Sequence, residues 1–170
     1  SEQGIMLGVI RTEELLAARR LDGARQYFTR AIDFGFSKSA DETMRFWGRD
    51  EVLGDVVWVV RKFRPDVIIL RFSGTPRDGH GHHQASAMLG KEAFRVAADP
   101  ARFADQLKDV AVWQAKRAMW NGFSFTREQE RELATAPKAV RVDTGEYDAL
   151  LGMSYGELAS LSRSQHRSQG

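Results

Sequence analysis

Three of the four histidines in this 170-residue chain stand within four positions, in the stretch RDGHGHHQAS. His80 and His83 are three residues apart, so their side chains can face a common point if a helix begins near His83. Neutral imidazole is a common ligand of Zn²⁺, and the glycines between these positions let the backbone bend closely around a cation. His82 points elsewhere in such a turn and could orient a neighbouring ligand. A solvated histidine cluster in a flexible loop is the alternative, and the spacing alone leaves both open.

The composition restricts the chemistry that this cluster can perform. The chain has no cysteine, so a metal site has to use His, Asp or Glu. With 25 Lys and Arg against 23 Asp and Glu, the net charge of +2 gives only weak support for a nucleic-acid partner. Its longest apolar runs are far shorter than the roughly 20 residues of a membrane-spanning helix. The composition therefore predicts one compact domain with a core of its own and no transmembrane segment.

Helical and strand patterns alternate along the chain and must position the histidines. Period-two alternation, aromatic content or continuous apolar runs indicate strands, while caps and apolar residues at helical spacing indicate helices. The predicted helices are residues 11–26, 39–48, 50–63 and 83–99, and the predicted strands are 27–36, 66–72 and 109–120. Two later helices are indicated by capping pairs, Thr126 with Gln129 and Ser154 with Glu157.

The stretch DVIILRF is the clearest strand, and the histidine loop follows it directly. Its apolar run Val67–Leu70 is typical of a strand that is buried on both faces, and such strands are usually parallel with helices on both sides. In open α/β sheets, ligands bind beyond the carboxyl ends of the strands. The sequence therefore predicts one α/β domain over residues 1–170, with the histidines at the edge of its sheet.

Four short motifs, in order, resemble the LmbE/PIG-L family of zinc-dependent N-deacetylases. The strand RPDVII leads into a Gly-His-x-x-His loop and an Ala-rich helix, and IRTEELLAARRLDG is similar to the family's Arg-x-x-Glu helix. AIDFGF resembles the strand-end segment that carries an aspartate, and SQHRSQG resembles a late His-x-Ser-Gln motif. The likeness covers nearly the whole chain and is greatest to the long bacterial members. It implies a Rossmann-like three-layer sandwich with a mostly parallel sheet.

The resemblance also implies roles for individual residues. The second histidine of the family's pair, here His83, is a ligand of Zn²⁺, or of another divalent metal. The first, here His80, polarises the amide carbonyl and stabilises the tetrahedral oxyanion. Between them the family commonly has Pro-Asp, whereas this chain has Gly81 and His82, so an imidazole replaces the carboxylate that supports the first histidine. Some members also carry a tyrosine shortly before the pair, where this chain has Arg77 and Asp78.

Three further residues are implied to contact the substrate. Arg11 would hold substrate polar groups near the metal, although a salt bridge with Glu14 at the helix end is an equal alternative. Asp33 and His166 also match family positions, and the resemblance implies that both contact the substrate. The alternatives are a turn aspartate at the end of a strand for Asp33 and an exposed histidine at the end of a helix for His166.

The family's N-terminal Ala-His-Pro-Asp-Asp-Glu motif has no counterpart in these residues. In the family that motif provides two zinc ligands and the general base, and it lies on the first strand of the sheet. We therefore expect a fragment of a larger enzyme that lacks this strand. Alone it is expected to supply one zinc ligand of three and no base, and to be inactive.

The function predicted for the intact protein is hydrolysis of an N-acyl group, by zinc-activated water, from an amino sugar or another small glycoconjugate. The rival interpretations are a non-catalytic metal- or carbohydrate-binding module that keeps the fold, and a basic nucleic-acid-binding domain favoured only by charge and by the tail SRSQHRSQG. No nucleic-acid partner is expected. The sequence leaves open self-association, the acyl group, and a cytoplasmic or exported location.

Overall fold

The computed structural model describes residues 4–124 and 126–169. The chain divides into two compact units: one combines the residues up to Tyr27 with those from Lys138 onward, and the other is Phe28–Pro137. The helices are α1 (Ile5–Asp22), α2 (Ala40–Trp47), α3 (Arg49–Phe63), α4 (Gly81–Val96), α5 (Arg127–Thr135) and α6 (Tyr155–Arg163). The strands are β1 (Val67–Leu70), β2 (Arg117–Trp120), β3 (Tyr147–Asp148) and β4 (Met153–Ser154). The expectation of a single domain stays a prediction.

The larger unit is a mixed α/β structure around a two-stranded parallel sheet. β1 and β2 pair from Val67 with Arg117 to Leu70 with Trp120, and α4 lies between them in the chain. The core consists of apolar side chains from α2, α3 and α4, among them Leu53, Val57 and Leu89. Gly90 of α4 lets the helix approach the sheet, since a Cβ there would lie 2.5 Å from Leu70 Cδ2. A mixed α/β fold was predicted and is confirmed at this level.

The smaller unit pairs the first helix with the last. α1 packs against α6, and β3 and β4 form a short antiparallel hairpin. Ser154 and Glu157 form the predicted capping box at the start of α6. α1 begins and ends earlier than the predicted range 11–26: it runs from Ile5 to Asp22, and Gly23 after it adopts the left-handed conformation. Across the described residues no helix is long and apolar enough to cross a membrane.

Three strand predictions were wrong in detail, and one of them is the strand expected over residues 109–120, which is confined to Arg117–Trp120. Residues 27–36, all of which the structure describes, contain no strand. Their backbone groups bond to side chains instead: Arg30 N donates to Asp55, and Ile32 O accepts from Trp47 Nε1. β1 was expected to be buried on both faces, but Ile69 is 66% exposed, whereas Leu70 on the opposite face lies against Gly90 of α4.

A buried cation holds the segment after α4 in place. Arg61 of α3 is only 1% exposed, and its guanidinium donates to five neutral oxygens between Ala97 and Gln106. Four of these acceptors are backbone carbonyls, which makes Arg61 the organising side chain of that segment.

Arg61→Met should lower the free energy of unfolding by about 3 kcal/mol or more, because each buried carbonyl left without a donor costs roughly 1–3 kcal/mol. Urea denaturation followed by circular dichroism measures this. Lys62→Met, at the neighbouring exposed position of α3, should stay within about 0.5 kcal/mol of the parent. Equal effects of the two substitutions would contradict the assigned role of Arg61.

Candidate functional site

The loop between β1 and α4 is shaped by the side chain of Asp78. Its Oδ1 accepts from Ser73 N at 3.0 Å and Ser73 Oγ at 2.8 Å, and its Oδ2 accepts from Gly74 N at 2.7 Å and Thr75 N at 3.2 Å. Burial alone would raise the pKa of Asp78, but these hydrogen bonds outweigh it and lower the pKa. Sequence analysis did not identify this role, although Thr75 and Asp78 have the spacing of a capping box with a proline between them.

His83 is fixed in one tautomer by the same loop. Its ring stacks on Phe72 with centroids 3.9 Å apart, and its Nδ1 lies 3.2 Å from the carbonyl oxygen of Asp78. Because a carbonyl oxygen can only accept, Nδ1 carries the proton in this hydrogen bond. The neutral ring then keeps its lone pair on Nε2, which is the arrangement found in metal-ligating histidines.

His80 is fixed in the opposite tautomer. It is the N-cap residue of α4, and its Nδ1 accepts from the backbone N–H of His82 at 3.1 Å. An accepting Nδ1 has no proton, so the neutral ring carries its proton on Nε2 and donates there. Phe36 packs edge-on against this ring with centroids 4.9 Å apart.

The two rings lie side by side, with centroids 5.2 Å apart. One presents an N–H donor at Nε2 and the other presents a lone pair at Nε2. Within residues 4–124 and 126–169 no group of three or more His, Asp or Glu side chains is arranged to hold a metal ion. The described residues can thus provide one imidazole ligand with a hydrogen-bond donor beside it, but not a complete metal centre.

His82 is packed among aromatic rings. It stacks on Trp47 at 5.1 Å between centroids, and Phe34 packs edge-on at 4.5 Å. Its Nε2 is buried and has no hydrogen-bond partner among the described residues. Burial lowers the pKa of His82, and the charge of Asp33 partly opposes this. The backbone N–H of His82 donates to His80 Nδ1, and the predicted supporting role of the His82 ring stays a prediction.

Asp33 lies near this cluster and shapes a turn. Its Oδ1 accepts from Gly35 N at 3.0 Å, which is the turn role considered in the sequence. The same carboxylate acts electrostatically on His82, so the structure brings two of the four motifs together in the larger unit. Its role in substrate binding stays a prediction.

Gly81 is required by a close backbone approach. Its N–H donates to Ser37 O at 2.8 Å, and a Cβ at this position would lie 2.2 Å from Ser39 O and 2.3 Å from Ser37 Oγ. Proline, which the family commonly has here, has no N–H to donate. Glycine at position 81 therefore has a structural reason.

The other two motifs meet in the smaller unit. Glu14 accepts from Ser168 N at 2.7 Å and from Ser168 Oγ at 2.8 Å, which joins α1 to the C-terminal segment. The bond from the Ser168 hydroxyl lowers the pKa of Glu14 most, against the effect of burial, and the backbone bond and the charges of His166 and Arg11 add to it. Arg11 and His166 thus both lie in the electrostatic field of one carboxylate, and their substrate contacts stay predictions.

A groove of about 570 Å³ runs along α1 and α6 in this unit. Its basic lining residues are Arg19, Arg163 and His166. Arg19 is bound to Asp22 and, with the other hydrogen bonds to that carboxylate, lowers the pKa of Asp22 to about 2. His166 is half-buried in this groove rather than fully exposed at a helix end.

Gly81→Ala should destabilise the protein by about 2–3 kcal/mol, because the added methyl group would overlap backbone atoms that cannot rotate away. Thermal or urea unfolding measures the loss. Gly8→Ala is the matched control: position 8 lies inside α1 with nothing within 4 Å of the new Cβ, and alanine there should stabilise by about 0.5–1 kcal/mol. If Gly81→Ala were as well tolerated as Gly8→Ala, the close approach would be contradicted.

Comparison of the chain with protein-family models, with curated proteins and with solved structures finds no match. The resemblance of four short motifs to the deacetylases therefore stays a prediction. Two of the motifs contact each other in the smaller unit through Glu14 and Ser168, and two lie together in the larger unit around His82.

Proposed function

We propose that this chain is part of a metal-dependent amide hydrolase in which His83 is a metal ligand and His80 donates a hydrogen bond to the reacting oxygen. The observation that carries the proposal is the pair of opposite tautomers, each set by a backbone hydrogen bond. A solvated pair of histidines would have no such bonds to select between the two forms. The substrate class is an N-acylated amino sugar or glycoconjugate.

His83 fits the role of a metal ligand through its Nε2. The ring is oriented by Phe72 and the Nδ1 proton is held by a carbonyl, which leaves the lone pair of Nε2 for a metal ion. A bound Zn²⁺ would lower the pKa of a water molecule toward about 7 and polarise an acyl carbonyl. A catalytic zinc site generally has three protein ligands, so the remaining ligands and the base would come from outside the described residues.

His80 fits the role of an oxyanion donor. Its Nε2–H is free of the capping bond, which uses Nδ1, and the ring sits at the N-terminal end of the 16-residue helix α4. The partial positive charge at a helix N-terminus also favours a negative charge that develops nearby. Donors aimed at such an oxygen are typically worth about 10²–10³ in rate.

We also propose that the sheet belongs to a Rossmann-like three-layer sandwich. β1, α4 and β2 form one βαβ unit with parallel strands, and Val67 and Ile69 leave one face of β1 exposed. Parallel sheets are usually covered on both faces. A second helical layer over Val67 and Ile69 would complete the fold.

A non-catalytic metal- or carbohydrate-binding module is the second candidate. It is favoured by the lack of a three-ligand group among the described residues, because a single imidazole can assist binding but does not by itself activate water. The two candidates share His83 as a ligand and differ in the role of His80.

Zn²⁺ added to the chain should shift the Nε2 resonance of His83, and His83→Gln should abolish the shift and the binding. Calorimetry and ¹⁵N NMR of the imidazoles measure both. His82→Phe is the matched control, because the His82 ring is enclosed by Trp47 and Phe34. This substitution should change the zinc dissociation constant less than about twofold. Unchanged zinc binding by His83→Gln would remove the basis of the proposal.

His80→Ala should lower kcat by about 10²–10³ while bound zinc remains, because the oxyanion donor is lost together with the capping bond to His82 N, whereas the hydrogen bond of His83 to Asp78 is kept. The assay measures acetate released from an N-acetylated amino sugar by the longest form of the protein in which this chain occurs, loaded with Zn²⁺. Asp50→Asn, at an exposed position of α3, serves as the control and should retain activity. A zinc-loaded protein that releases no acyl group from such substrates would favour the binding module instead.

A further inference from the structure

Asp78 has no free carboxylate lone pair for chemistry. An ionised carboxylate offers about four lone-pair sites, and its two oxygens here accept four hydrogen bonds from Ser73, Gly74 and Thr75. A group with all its acceptor sites occupied cannot also bind a metal ion or remove a proton from water. The side chain therefore acts on the loop rather than on a substrate.

The backbone carbonyl of the same residue is directed at the histidines. It accepts from His80 N at 2.8 Å, across a tight three-residue turn whose central residue, Gly79, has φ 73°. It also accepts from His83 Nδ1 at 3.2 Å. A carbonyl oxygen has two lone pairs, so it can make both bonds at once.

We propose that Asp78 is the positioning residue of the histidine pair: its carboxylate folds the loop so that its own carbonyl holds the proton of His83 on Nδ1. Given the metal-ligand role of His83 proposed above, this would leave the Nε2 lone pair available to a metal ion. Asp78 occupies part of the segment where some members of the resembled family carry a tyrosine. It acts through the tautomer of His83 and touches no reacting atom.

The position and the tautomer of the His83 ring have separate causes. Phe72 stacks on the ring at 3.9 Å and nearly parallel, which holds its plane whichever nitrogen is protonated. The carbonyl of Asp78 selects the protonated nitrogen. Loosening the loop should therefore let the proton of His83 move from Nδ1 to Nε2 while the ring stays stacked on Phe72.

Asp78→Asn tests this directly. The amide keeps one acceptor oxygen for Ser73 but turns an NH₂ group toward the backbone N–H groups of Gly74 and Thr75. These two N–H groups therefore lose their acceptor. We expect the ¹⁵N spectrum of His83 in the metal-free chain to change from predominantly Nδ1–H to predominantly Nε2–H. The zinc dissociation constant should rise about 10-fold, as is typical when a partner of a metal ligand is removed. Asp50→Asn removes a carboxylate elsewhere in the same unit and should change neither the tautomer of His83 nor the zinc dissociation constant.

Ser73→Ala is the second variant, in case Asp78→Asn does not fold. It deletes the hydroxyl that bonds Asp78 Oδ1 but keeps the backbone donor, so the Nδ1–H fraction of His83 should fall by less. A folded Asp78→Asn protein with an unchanged His83 tautomer would overturn the proposal, and so would an unchanged tautomer in Ser73→Ala if Asp78→Asn is unfolded. Because the tautomer is measured without metal, a failure of zinc binding in the parent chain contradicts the proposed function and not the role of Asp78.

Discussion

The close approach of residues 37–39 to the first turn of α4 is the constraint on which the histidine cluster depends. The Gly81 N–H bonds to Ser37 O, and no side chain fits at position 81 beneath Ser39. Because residues 37–39 are held there, the preceding aromatic residues Phe34 and Phe36 reach His82 and His80. The buried bond between Thr43 Oγ1 and Ser37 Oγ ties the same segment to α2. The glycine thus brings the loop with Asp33 and the loop with the histidines into one arrangement.

Gly81 and His82, where the resembled deacetylases commonly have Pro-Asp, are physically linked. Proline at position 81 would lose the bond to Ser37 and would crowd Ser39, whereas glycine permits the approach. The approach in turn brings Phe34 against position 82, beside Trp47. A carboxylate enclosed by these rings would be desolvated without a partner, while a neutral imidazole can stack on them. Burial lowers the pKa of His82, which agrees with a ring that is neutral at this position. Support for His80 then comes from a backbone N–H instead of a carboxylate.

The sequence predicted the helices of this protein better than its strands because helix signals are local. Ser39 caps α2 and Ser154 caps α6 through bonds to residues three positions on, and such pairs can be recognised without knowing the fold. A strand also needs a partner, and residues 27–36 satisfy their backbone groups through Asp55 and Trp47, from other parts of the chain. The position of the histidines after β1 was predictable. Their tautomers were not, because that of His80 depends on the backbone N–H of His82, and that of His83 depends on the carbonyl of Asp78 and on the four hydrogen bonds that fold its loop.

The same hydrogen bonds distinguish the cluster from a surface patch of histidines. Two neighbouring imidazoles in water can each adopt either tautomer, and nothing assigns them different roles. Here the capping bond to the N-terminus of α4 makes His80 a donor at Nε2, and the loop carbonyl makes His83 a lone-pair donor at Nε2. Amide hydrolysis at a metal needs both properties close together: a ligand for the cation and a hydrogen-bond donor for the oxygen that becomes negative. A helix N-terminus and a loop folded around a carboxylate provide both properties within a segment of four residues, which is why the proposed function rests on this segment.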